Sequence, residues 1–152
     1  MQQRTDYLKA APDGYRAMAG LESYVRHSGL EAPLLELVKT RASQINGCAF
    51  CLDMHTKDAR AQGETEQRLY TLSAWRETPF FSERERAALA WTEAVTRISE
   101  THIPDEVYEG VRKQFAEKEL VDLTLAIVAI NGLNRLAIAF RTVPGSYLPN
   151  KH

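Results

Sequence analysis

Residues 36–55 read ELVKTRASQINGCAFCLDMH, a stretch that joins the end of one predicted helix to the start of the next. Apolar residues recur at helical spacing before Asn46-Gly47, a pair that is typical of a helix end. A second helix is predicted to begin around Cys48, which places Cys51 in its first turn. The two cysteines of the chain therefore lie where two consecutive helices meet.

The helical period continues through the rest of the chain, and no stretch shows the alternation that is typical of a strand. The predicted helices cover about residues 12–28, 33–46, 48–62, 66–75, 82–98, 104–115 and 119–140. We therefore predict an all-α bundle of about six to seven helices, in a single domain that spans residues 1–152. Pro144-Gly145 is predicted to begin a loose tail.

The composition excludes several classes of partner. Of 152 residues, 44% are apolar, and 19 Lys+Arg balance 20 Asp+Glu, for a net charge of -1. A balanced charge gives no electrostatic reason to bind nucleic acid or an anionic membrane. The first residues contain no apolar stretch like that of a secretory signal, and the most apolar segment, residues 123–130, is too short to span a bilayer. We therefore expect a cytoplasmic protein with no membrane contact.

The last predicted helix indicates a subunit contact. Within residues 123–130 only Thr124 is polar, so the helix is apolar on every face and has to be covered on all sides. A central core helix of a monomer would meet this requirement, and so would a subunit interface. Small residues that allow another helix to come close favour the interface: Ala126, Ala129, Gly132 and Ala137. We expect an oligomer, in which Asn131, Asn134 and Arg135 need buried partners or a helix-end position.

Four interpretations of the cysteine pair remain open from the residues alone. Cys48 and Cys51 are inert buried thiols, a structural disulfide, metal ligands or a redox pair. A disulfide across so short a loop removes little entropy from the unfolded chain, and the cytosol keeps thiols reduced. A metal site would use Cys48, Cys51 and His55, but structural zinc usually has four ligands and the chain has no second C-x-x-C.

The redox interpretation fits the predicted helix start best. Unpaired N–H groups and the helix dipole there stabilise a thiolate at Cys51. His55, four residues later, lies on the same helical face and is placed to take or relay a proton. A thiolate that attacks a peroxide O–O bond becomes a sulfenic acid, and Cys48 can then condense with it and release water.

The same stretch matches a known pattern. In the AhpD-like alkylhydroperoxidases of the carboxymuconolactone decarboxylase superfamily, a glutamate is followed by eleven residues and then by C-x-x-C-x-x-x-H. The chain resembles these proteins, with Glu36 at the glutamate, Cys48 and Cys51 at the pair, and His55 at the histidine. The segments LSAWRETPFFSERERAALAWTEAVT and VDLTLAIVAINGLNRLAIAFR are also similar to this family, so the resemblance covers about residues 7–143.

The resemblance implies an AhpD-like helical fold, assembly into a homotrimer or homohexamer, and reduction of organic hydroperoxides. By analogy, Cys51 attacks the peroxide, Cys48 resolves the sulfenic acid, and Glu36 with His55 relays the proton. A dithiol or lipoyl-type reductant protein is the implied partner, and we expect no cofactor and no metal. AhpD has a histidine immediately before the second cysteine, where this chain has Phe50, so one relay member is absent.

Two other functions remain beside the alkylhydroperoxidase. One is a metal-binding module that uses Cys48, Cys51 and His55. The other is a thiol redox sensor that is oxidised once and does not turn over. Decarboxylases of the superfamily generally lack the cysteine pair, which makes lactone chemistry an unsuitable function for this chain.

Helical spacing alone makes a different prediction for the acidic residues. On a helical wheel Glu36 lies opposite the apolar face of its helix and is predicted to be a solvated carboxylate. The resemblance instead requires a second helix or a subunit to cover it. Asp53 and Asp58, on the cysteine helix, are predicted to be surface charges.

Overall fold

The computed structural model of the chain describes residues 1–149, which form nine α-helices and one 3-10 helix and no strand. The helices are α1 (Tyr7–Ala10), α2 (Pro12–Arg26), α3 (Ala32–Asn46), α4 (Ala49–Ala61), α5 (Glu66–Thr71), α6 (Glu83–Thr96), α7 (Ile98–Thr101), α8 (Asp105–Arg112) and α9 (Glu117–Phe140). The 3-10 helix, Leu72–Glu77, follows α5 directly. The predicted all-α class is therefore confirmed.

The predicted count of six to seven helices is too low, because short helices leave no periodic pattern in the sequence. Both α1 and α7 are single turns of four residues, which is too few for an apolar face to recur. The predicted helix over residues 66–75 is also divided. Its second half is a 3-10 helix in which Ala74 leaves helical values, with φ -116° and ψ 30°.

Helix α3 is central to the fold and determines where the cysteine pair lies. It packs against α4, α6 and α9, and residues 34–40 are all buried. One apolar cluster lies between α2, α3, α6, α8 and α9, and a second lies between α3, α4, the 3-10 helix and α6. Leu37 is fully buried in the second cluster, and burial of such a side chain contributes roughly 1.5–3 kcal/mol to folding. Because α3 has neighbours on several sides, its polar side chains are also removed from water.

Helix α9 is only partly covered by the rest of the chain. It packs against α2, α3 and α6, and Leu123 and Ala126 are fully buried. Its length and apolar composition would suit a membrane span, but the core helix of a soluble protein meets the same description. Val121, Val128 and Ile138 are exposed, so these apolar side chains of α9 have no cover within residues 1–149.

Polar side chains join the last turn of α3 to α9. Asn134 is fully buried; its Nδ2 donates to Ser43 Oγ at 3.0 Å, and its Oδ1 accepts from Asn46 Nδ2 at 2.9 Å. Asn46 Nδ2 also donates to Asn131 Oδ1 at 3.0 Å. The prediction that Asn131 and Asn134 have partners inside the fold is confirmed, whereas Arg135 is exposed. The hydrogen bonds fix the end of α3 just before the cysteine pair.

Candidate active site

The cysteine pair begins at the turn between α3 and α4. Gly47 ends α3 in a left-handed conformation, with φ 70° and ψ 35°, which residues with a side chain rarely adopt. The Cys48 N–H then donates to the Ser43 carbonyl at 3.0 Å. Cys48 caps the N-terminus of α4, where its Sγ accepts from the Cys51 N–H at 3.3 Å. The predicted helix start at Cys48 is therefore confirmed.

The two cysteines are joined to each other. Cys48 and Cys51 form a disulfide, with Cα atoms 5.3 Å apart, within the usual range for a disulfide. Both residues are buried, and they pack with Ala137 of α9 and the half-buried Phe50. Phe50 thus places an apolar ring against the pair, at the position where AhpD has a histidine.

Glu36 and His55 meet in the interior, one from α3 and one from α4. Glu36 Oε2 and His55 Nδ1 are 2.9 Å apart, and the two residues are 8% and 5% exposed. The wheel-based prediction of a solvated Glu36 is therefore wrong. The wheel assumes that one face of a helix is in water, whereas α4, α6 and α9 all pack against α3.

The charge of Glu36 is maintained despite its burial. Burial alone would raise the pKa of this carboxyl, but the hydrogen bond and charge of His55, with the charges of Lys39 and Arg26, outweigh it. The pKa of Glu36 consequently lies below its ordinary value. An ionised Glu36 accepts the Nδ1 proton of His55 in both charge states of the ring, and in the neutral imidazole Nε2 is then the proton acceptor.

The second ring nitrogen of His55 has no partner. Its Nε2 is buried, and no atom of residues 1–149 forms a hydrogen bond with it. Since His55 is four residues after Cys51, its side chain lies one turn further along the same face of α4. Within residues 1–149 the structure therefore holds an unpartnered ring nitrogen on the helix face that also bears Cys51.

Lys39 is a site residue that the sequence does not indicate. It is buried on α3, contacts the Glu22 carboxylate of α2, and has its Nζ 3.8 Å from Glu36 Oε1. A buried ammonium group needs an anionic partner, and here it has two. A lysine among apolar residues is usually exposed, so no pattern in the sequence marks this one.

A cleft of about 810 Å³ opens beside Glu36. Its charged and polar lining residues include Arg26, Glu36, Lys39, Asp58 and Tyr147. Neither cysteine is among the lining residues, so the cleft reaches the Glu36 end of the site and not the disulfide.

The wall of this cleft that comes from residues 141–149, here called the C-terminal strap, is held against α4. The Gly145 N–H donates to Asp53 Oδ2 at 3.0 Å, and Lys57 Nζ donates to the Tyr147 carbonyl at 3.0 Å. The Tyr147 hydroxyl donates to Asp58 Oδ1 at 2.7 Å. The predicted loose tail is therefore wrong for these residues, because side chains of α4 bind it at three points.

The strap also changes the interpretation of two acidic residues. Asp53 and Asp58 lie at the surface as predicted, but both are half-buried and accept hydrogen bonds from the strap. Burial and the hydrogen bond to Asp58 raise the pKa of Tyr147 to about 12, so the phenol stays a donor at neutral pH. The sequence separation between Tyr147 and Asp58 explains why no local pattern indicates the contact.

The ligand set predicted for a metal is not the one that the structure assembles. Cys48 and Cys51 are bonded to each other and offer no thiolate. One ligand atom each from Glu36, His55 and Asp58 lies within 4.8 Å of the other two. These three residues, and not the cysteines, are the group that brings carboxylate and imidazole atoms together.

Comparison with known proteins identifies the family of the chain. Residues 12–94 match the carboxymuconolactone decarboxylase family. The uncharacterized protein YdfG of Bacillus subtilis (strain 168) is 49% identical over 139 residues, which are 91% of this chain and 95% of YdfG.

Solved structures have the same fold. ATU0492 from Agrobacterium tumefaciens, a protein of unknown function with a suggested role as the antioxidant defence protein AhpD, is 47% identical and gives a TM-score of 0.93. That match covers 96% of this chain and 100% of ATU0492. The debrominase Bmp8 gives a TM-score of 0.82 at 21% identity, over 91% of this chain and 75% of Bmp8, a likeness of fold alone. This chain therefore belongs to the carboxymuconolactone decarboxylase family, as an AhpD-like member.

Proposed function

We propose that the protein is an alkylhydroperoxidase, a thiol-dependent peroxidase that reduces organic hydroperoxides through Cys48 and Cys51. The family and the likeness to ATU0492 support a peroxidase-related oxidoreductase role. The observation on which the proposal depends is the bonded cysteine pair on the helix of His55, whose ring is hydrogen-bonded to the buried Glu36.

The proposed cycle begins with the reduced cysteine pair. The Cys51 thiol gives its proton to His55 and becomes a thiolate in the first turn of α4, where helix N–H groups stabilise it. The thiolate sulfur attacks one oxygen of ROOH, two electrons break the O–O bond, and Cys51 becomes a sulfenic acid. The departing alkoxide takes the proton from His55 and leaves as ROH.

The second half of the cycle closes the disulfide. The Cys48 sulfur attacks the sulfenic sulfur of Cys51, the Cys48 proton joins the departing hydroxide, and water leaves. The Cα separation of 5.3 Å suits this bond without movement of the backbone. A partner with two thiols then reduces the disulfide and is itself oxidised to a disulfide.

In this cycle Glu36 and His55 form the proton relay. Glu36 holds the ring with Nδ1 protonated, so that Nε2 is free to accept the proton of Cys51. Phe50 supplies no proton, which makes His55 the only imidazole on this face of α4.

The proposal includes the setting in which the cycle runs. The reductant is a dithiol or lipoyl-type protein, and the chain acts in the cytoplasm as one domain over residues 1–152. It assembles as a homotrimer or homohexamer, for which the exposed apolar side chains Val121, Val128 and Ile138 of α9 are the supporting observation. Light scattering on the purified protein measures the mass of the assembly, and a monomer would contradict this part.

The test is peroxide consumption with dihydrolipoamide as the electron donor. We expect steady turnover of cumene hydroperoxide by the natural protein and none by Cys51→Ser. Cys48→Ser should still react once and leave a sulfenic acid at Cys51, which mass spectrometry detects after dimedone labelling. If instead Cys51→Ser forms a sulfenic acid and Cys48→Ser does not react, the two roles are reversed.

A thiol sensor that is oxidised once is the second candidate. Burial of both cysteines favours it, since a buried disulfide is less accessible to a reductant protein. The same assay separates the two functions, because a sensor consumes one equivalent of peroxide per chain and then stops although the donor remains.

A further inference from the structure

Two carboxylates, not one, lie close to His55. Glu36 accepts the hydrogen bond from Nδ1, and an oxygen of Asp58 lies within 4.8 Å of the ligand atoms of Glu36 and His55. Asp58 is on α4, three residues after His55, so the two side chains are neighbours on one helix face. A second free carboxylate in this position repels Glu36 and competes with it for the imidazole N–H.

Each carboxylate has its own partner. Lys39 Nζ lies 3.8 Å from Glu36 Oε1, while the Tyr147 hydroxyl donates to Asp58 Oδ1 at 2.7 Å. The strap fixes this hydroxyl, because Gly145 and the Tyr147 carbonyl are both bound to α4. Asp58, Tyr147 and Glu36 all line the same cleft.

We propose that Tyr147 is a positioning residue of the active site: by holding Asp58, it leaves Glu36 as the single carboxylate partner of His55. Tyr147 touches neither the cysteines nor the peroxide in this role. Without its hydroxyl, Asp58 is an unpaired acceptor beside His55 and turns toward the ring, which draws Nδ1 away from Glu36.

This inference rests on the proposed function only for its effect on the rate of peroxide reduction. The position of the His55 ring can be measured without any activity, from the NMR signals of its ring nitrogens and of the Nδ1 proton. His55→Gln assigns these signals by removing them.

The experiment compares three variants of the full chain: Tyr147→Phe, Asp58→Asn and the double variant. Tyr147→Phe should shift the His55 signals and slow oxidation of Cys51 by cumene hydroperoxide about tenfold, part of what a well-placed general base contributes. Asp58→Asn removes the competing charge but keeps an oxygen for Tyr147, so its loss should be smaller. The double variant should react faster than Tyr147→Phe alone, since no carboxylate then needs to be held.

The control is Tyr70→Phe, because Tyr70 is exposed and, among the residues that the structure describes, its hydroxyl donates to Glu66 of its own helix alone. This variant should leave the His55 signals and the rate unchanged. Unshifted His55 signals in Tyr147→Phe would overturn the inference even if the rate fell. A double variant as slow as Tyr147→Phe, or slower, would also overturn it, since a purely structural strap gives that result. If the natural protein does not reduce hydroperoxides, the proposed function fails, and the NMR comparison still decides the role of Tyr147.

Discussion

Glu36 Oε2 and His55 Nδ1 lie 2.9 Å apart in the interior of the protein, on two different helices. The bond is the link between α3, the most enclosed helix of the fold, and the helix of the cysteine pair. Lys39, from the same helix as Glu36, supplies a positive charge 3.8 Å from the other carboxylate oxygen. The carboxylate therefore lies on one side of the ring, and on the other side Nε2 has no hydrogen-bond partner among residues 1–149.

The first prediction concerns the charge of Glu36. Glu36→Gln keeps the shape of the side chain but removes the charge that selects the Nδ1-protonated ring. We expect oxidation of Cys51 by cumene hydroperoxide to slow by roughly 10- to 100-fold, which is less than the loss of a whole general base because His55 itself remains. Stopped-flow tryptophan fluorescence on the reduced protein measures the rate. Glu77→Gln is the control, since Glu77 is exposed, and equal rates for both variants would contradict a relay through Glu36.

The second prediction is the pH dependence of stability that Glu36 contributes. Its pKa in the folded protein lies below the ordinary value of 4.5, so the unfolded chain binds the proton more readily. The stabilisation by ionised Glu36 is therefore fully present above the ordinary value and is lost as the pH falls through the folded one. We expect the difference in free energy of unfolding between the natural protein and Glu36→Gln to shrink below about pH 4.5. Urea denaturation at several pH values measures it, and a difference that grows on acidification would contradict the sign.

The third prediction concerns the buried ammonium group of Lys39. Lys39→Met leaves Glu22 and Glu36 in the interior without their shared partner, which should lower the free energy of unfolding by about 3–5 kcal/mol. Adding Glu22→Gln should restore part of the loss, because it removes one of the two carboxylate charges that Lys39 neutralises. Lys9→Met is the control: Lys9 is exposed, and its pair with Asp6 should contribute less than about 1 kcal/mol. Chemical denaturation of the three variants gives the values, and a loss as small as that of the control would mean that water reaches Lys39.

The local features of the site follow from the sequence because they depend on neighbouring residues. Gly47 permits the left-handed end of α3, and the spacing of Cys48, Cys51 and His55 fixes their positions at the start of α4. The disulfide across this first turn needs no information from elsewhere in the chain. Helical spacing and the family pattern were therefore sufficient to predict the fold class, the helix start and the cysteine pair.

The remaining features depend on tertiary packing. Glu36 and Lys39 are buried because other helices cover α3, and a helical wheel contains no information about neighbours. The contact between Tyr147 and Asp58 joins residues that are far apart in sequence, so neither residue has a local signal. The short helices α1 and α7 could not be predicted either, because a single turn is too short for a helical period to appear in the sequence.

The fourth prediction concerns the hydrogen bonds that join α9 to the last turn of α3, just before the cysteine pair. Asn134 is fully buried, and its amide bonds both Ser43 Oγ and Asn46 Nδ2 in the last turn of α3. Asn134→Ala should lower the free energy of unfolding by about 1–3 kcal/mol, because the buried Ser43 Oγ loses its donor and Asn46 Nδ2 keeps only Asn131 as an acceptor. Gln67→Ala, at an exposed position of α5, should change it by less than about 0.5 kcal/mol.

The same variant should also affect the cysteines, because the Ser43 carbonyl binds the Cys48 N–H and so places Cys48 at the start of α4. We expect Asn134→Ala to slow the closure of the Cys48–Cys51 disulfide from the sulfenic acid more than it slows the first reaction of Cys51 with peroxide. Quenched-flow mass spectrometry resolves the two steps by counting sulfenic acid and disulfide over time. Equal slowing of both steps, or a stable variant with natural rates, would show that Asn134 does not act on the position of Cys48.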